Sequence, residues 1–143
     1  MEINKQKFIY VLSYVVTMIG LFLWNGPMYI FFSIFGLGLP LVPMILPIVG
    51  MVMLLKSISK KGVILGFVLT LPILGVLVAT ILSLPLRTNI DTYSGMKQLT
   101  PIYVTLMILI GGSLFFIMSI YLLKNQLVII EKEADKPKMK GGK

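Results

Sequence analysis

Residues 62–84 read GVILGFVLTLPILGVLVATILSL, twenty-three positions without a single charge. A bilayer core about 30 Å thick is crossed by roughly 20 apolar helical residues, so this run predicts a transmembrane helix. On either side, the runs 8–24, 36–55 and 101–123 also lack Asp, Glu, Lys and Arg. Together the four predict an all-α membrane protein: a four-transmembrane-helix bundle over 8–123, between a short N-terminal segment 1–7 and a tail 124–143. The tail mixes charge signs and ends in a Lys- and Gly-rich stretch that reads as disordered.

Composition points the same way. Of 143 residues, 57% are hydrophobic and 13% charged, whereas soluble domains carry about 45–50% apolar and about 25% charged residues. The formal charge of +8 would suggest nucleic acid in a soluble protein. Here the bases flank apolar runs, the pattern that orients membrane proteins, so no nucleic-acid partner is expected. The chain has no cysteine and no histidine. That removes disulfides, thiolate metal sites and lipid-modified cysteine, and with them the commonest general base and zinc ligand. No metal or cofactor is expected. Arg87 is the only arginine among thirteen bases, a usage that points to an AT-rich bacterial genome and hence to a bacterial cell membrane.

The first run competes with a cleaved signal peptide, whose apolar region is about 7–15 residues and ends in small residues. This run is longer and ends in Leu23-Trp24-Asn25-Gly26-Pro27, so it reads as a retained helix closed by a tight turn at 25–27. Bases then set the orientation. The N-terminus holds two, the connection at Lys56, Lys60 and Lys61 three, and the tail six, while the opposite side holds only Arg87 and Lys97. Both termini are therefore expected in the cytoplasm.

The second run is the irregular one. Pro40, Pro43 and Pro47 fall roughly on one helix face, and each removes a backbone donor. The expected result is a helix kinked by its prolines, serving either as a hinge or recess or as a static bend satisfied by its neighbours. Tyr29, Phe31, Phe32 and Phe35 then lie near the outer interface; the alternative is a helix broken near Gly38-Leu39-Pro40, with a re-entrant first half.

In the third run Gly62, Gly66 and Thr70 recur at four-residue spacing, as do Gly75, Ala79 and Ser83. Residues four apart share a helix face, and small ones let helices approach closely in lipid. The stripe is expected to serve either as a seam between copies or as packing within one chain. Ser13, Thr17 and Gly20 form a similar stripe on the first run, a natural partner for it. Gly111-Gly112 reads as close packing. The outer connection, with Arg87, Asn89, Asp91, Tyr93 and Lys97, reads as either a connector or a binding loop.

In size and helix number the chain resembles the small multidrug-resistance transporters. That family carries a membrane-embedded Glu in its first helix; here the first run has Ser13 and Thr17 and no acid. No family follows from so coarse a likeness. The absence of reactive side chains predicts a non-catalytic accessory, regulatory or immunity-type protein acting through the bilayer and membrane partners, another protein or a second copy. The alternative is a small transporter or channel subunit.

Overall fold

The computed structural model describes residues 2–35, 41–87 and 102–136, with the side chains of 2–3, 24–34, 43, 83–87 and 102 outside that description. Four helices make up the described chain: α1 (Glu2–Phe35), α2 (Val42–Lys56), α3 (Lys60–Arg87) and α4 (Ile102–Ala134). Three are long and apolar enough to cross a membrane, over Asn4–Leu23, Lys60–Leu82 and Tyr103–Ala134; the apolar part of α2, Met44–Lys56, is shorter.

The helices pack as a folded row. α1 lies along α4, α4 along α3 and α3 along α2, while α2 touches α1 and α4 only slightly. Sequence dictates these seams. On α3 the buried positions are Val63, Gly66, Thr70, Ile73, Leu77 and Thr80, alternating steps of three and four that keep one stripe facing its neighbours. Val104, Ile108, Gly111, Phe115, Ser119 and Leu122 do the same on α4. The opposite faces carry exposed Leu12, Ile19, Val68, Val78, Ile110 and Ile117. A fold apolar on its outside as well as its inside has the surface expected in lipid rather than water.

The α2–α3 turn is built from local chemistry. Lys56 closes α2 at its negative pole. Ser59 caps α3, its Oγ accepting from the Gly62 N–H at 3.2 Å and its carbonyl from the Val63 N–H at 3.1 Å. Lys60 then reaches Glu131 on α4 at 3.4 Å.

Three expectations change. The turn placed at 25–27 is helical, and α1 continues to Phe35. In apolar surroundings a helix satisfies its own backbone groups, and one missing Pro27 donor does not outweigh that across 28–35. Of the second run, α2 covers Val42–Lys56 and residues 36–40 lie outside the described residues; its prolines are not equivalent. Pro43 stands in the first turn and only Pro47 lies inside the helix; Pro40 lies outside the described residues. In a first turn the missing N–H would have had no partner within the helix anyway. Finally, what was expected as tail from 124 is helical as far as Ala134. The outer connection beyond Arg87 and the end of the tail lie outside the described residues.

Candidate functional site

The small residues divide between two faces of α3. Gly62 stands at the turn, where an added Cβ would sit 3.0 Å from the Ser57 Oγ. Gly66 meets Gly50 of α2. A Cβ on Gly50 would lie 2.6 Å from the Gly66 carbonyl oxygen, and one on Gly66 would lie 3.0 Å from the Gly50 carbonyl oxygen. Here two backbones touch, and only glycine fits. Thr70 is buried one turn on, its hydroxyl donated to the Phe67 carbonyl at 2.6 Å.

Gly75 and Ala79 do not continue this contact. Both are exposed, and nothing lies within 4 Å of a Cβ placed on Gly75. The reason is phase: at 3.6 residues per turn, the nine residues from Gly66 to Gly75 amount to about two and a half turns. The two halves of the stripe thus face opposite ways, and the single face expected from spacing is corrected to two. The side chain of Ser83 lies outside the description.

The stripe on α1 also finds a different partner from the one expected. Thr17 and Gly20 pack on α4, not α3. A Cβ on Gly111 would stand 2.8 Å from the Thr17 Oγ1, and one on Gly20 would stand 2.9 Å from the Ile108 Cγ1. Gly112 turns the other way, to Leu77 of α3, so the two adjacent glycines admit a helix on each side of α4. The close packing expected of them follows directly.

The α1–α4 interface also carries the aromatic core. Tyr10 stacks on Phe115 with centroids 4.8 Å apart and planes 7° from parallel, and Tyr14 tilts against the same ring at 5.2 Å. Tyr14 donates its hydroxyl to the Met44 carbonyl at 2.9 Å. This bond ties α1 to the first turns of α2, beside the backbone that Pro47 leaves without an N–H. The Tyr10 hydroxyl is buried without a hydrogen-bond partner.

Among the described residues, four buried serine and threonine hydroxyls donate back to their own helices. Ser13 donates to Tyr10, Thr17 to Ser13, Thr80 to Val76 and Ser119 to Phe115, at 2.7–2.8 Å. This is how a hydroxyl is satisfied among apolar neighbours. Among the described residues, no three acids stand close enough together to hold a metal ion. Sequence spacing had no means of separating hydroxyls that serve their own helix from hydroxyls that line a path. Compared with protein-family models, curated proteins and solved structures, the chain matches none.

Proposed function

We propose that this chain is a small multi-pass protein of the bacterial cell membrane, crossing four times with both ends in the cytoplasm. It acts without catalysis, as an accessory, regulatory or immunity-type protein, by lateral contact with a membrane protein or with a second copy of itself. The observation that carries this reading is the disposition of small and polar groups. The buried serine and threonine hydroxyls described above donate to carbonyls of their own helices, which favours contact over passage. Meanwhile α3 presents Gly75 and Ala79 outward, where no neighbour occupies the space glycine leaves.

Co-purification in mild detergent tests it. Because the chain has no cysteine, single cysteines can be read cleanly. Val78→Cys, on the outward face, should cross-link to a partner or to a second copy in membranes, and Val15→Cys on α1 should not. Equal cross-linking at both positions would count against a specific face.

A second reading, a transporter or channel subunit, draws on α2. Pro47 supplies no N–H to the carbonyl of Pro43, and a freed carbonyl can line a polar recess. Solute flux through reconstituted vesicles would favour it over the first.

A further inference from the structure

At the end of the bundle where α1 begins, a cleft of about 150 Å³ opens between α1 and α4, lined by Gln6, Asn125, Gln126 and the apolar Leu122, Val128 and Ile129. Its polar groups form a short chain: Asn125 donates to Gln6 Oε1 at 3.3 Å, and Gln6 donates to the Tyr121 hydroxyl at 3.3 Å. Each primary amide carries two N–H donors. These bonds therefore leave one donor each on Gln6 and Asn125, and Gln126 adds its own amide to the wall.

On α4 the amides are preceded by Lys124 and followed by Leu127, Val128, Ile129 and Ile130, after which Glu131 pairs with Lys60. Six residues separate Asn125 from Glu131, about 9 Å along a helix. The amides thus stand about a turn and a half along α4 from the Lys60–Glu131 pair. Lys124 on α4 and Lys5 and Lys7 on α1 adjoin these amides in sequence. Neutral donors with an apolar wall, and lysines adjoining them in sequence, match the phosphate of a phospholipid in the headgroup layer. The donors meet the phosphate oxygens, the lysines match the charge, and the exposed apolar face at Phe8 and Ile9 would receive the acyl chains.

We infer that the Gln6–Asn125–Gln126 cleft binds the headgroup phosphate of an anionic phospholipid of the inner leaflet. This rests on the membrane placement proposed above, so the first step is separate: the protein must stay in the membrane fraction after alkaline extraction. Release there overturns both readings. The full chain is then purified in neutral detergent and melted with phosphatidylglycerol, with phosphatidylcholine or with inorganic phosphate. A bound lipid present well above its Kd should raise Tm by about 5 °C.

The expected result is a rise with phosphatidylglycerol alone, lost in Gln126→Leu and in Asn125→Asp but retained in Lys60→Gln. Asn125→Asp keeps the shape and sets a negative charge against the phosphate, which covers the case where the leucine variant fails to fold. Equal stabilisation by both lipids, an equal rise with inorganic phosphate, or a rise that persists in Asn125→Asp would overturn the inference.

Discussion

Two tyrosines one turn apart should respond oppositely to the same substitution. Tyr14 donates to the Met44 carbonyl, so Tyr14→Phe removes a hydrogen bond between α1 and α2 and should cost about 0.5–1.5 kcal/mol. Tyr10 is fully buried, stacked on Phe115, and its hydroxyl has no partner. Tyr10→Phe keeps the stack and removes an unsatisfied group, so stability should hold or rise by up to about 1 kcal/mol. Thermal melts of the two variants in one detergent check the pair; equal losses would mean that the Tyr10 hydroxyl is satisfied. Glycine gives a second contrast. Gly66→Leu drives a side chain into the α2 backbone at Gly50 and should cost at least about 2 kcal/mol. Gly75→Leu meets open space and should be neutral or gain up to about 1 kcal/mol from helix propensity. The partner contact proposed for that face should nonetheless weaken.

At the scale of elements, the prolines of α2 now carry separate expectations. Pro43→Ala, in the first turn, should change stability by less than about 1 kcal/mol. Pro47→Ala restores a donor inside the helix but removes buried ring atoms, and it should shift the Tyr14 contact as well. A double-mutant cycle of Pro47→Ala with Tyr14→Phe should therefore show coupling above about 0.5 kcal/mol, and strict additivity would disconnect the two. These elements also mark what could be read beforehand. The long helices were legible because uncharged length is itself the signal, and 62–84 falls inside α3 as expected. The course of α1 through Asn25-Gly26-Pro27 was not, because turn residues are identical whether a chain turns or a helix tolerates them. The small-residue stripe was legible as close packing at Gly66 and misleading at Gly75, where a step of five residues past Pro72 changed its face. Which stripe meets which helix was not legible at all, since Thr17 and Gly20 could have faced α3 as well as α4.

For the molecule as a whole, the placement of the ends is directly measurable. Reporter fusions after Lys61 and after Lys143 should report cytoplasm, and one after Lys97 should report the opposite side; a C-terminus found outside would end the four-crossing reading. The folded row has a further result that concerns time rather than shape. The first helix finds its main partner in the last: Tyr10 waits for Phe115, and Thr17 waits for Gly111. During synthesis α2 and α3 can pair as soon as their short turn emerges, whereas α1 has little to pack against until α4 is made. For most of translation its hydroxyl-bearing stripe must therefore be shielded by lipid, by the insertion machinery or by an assembly factor. A ribosome stalled before residue 102 should leave α1 open to crosslinking along Ser13 and Thr17, and release of the finished chain should close it.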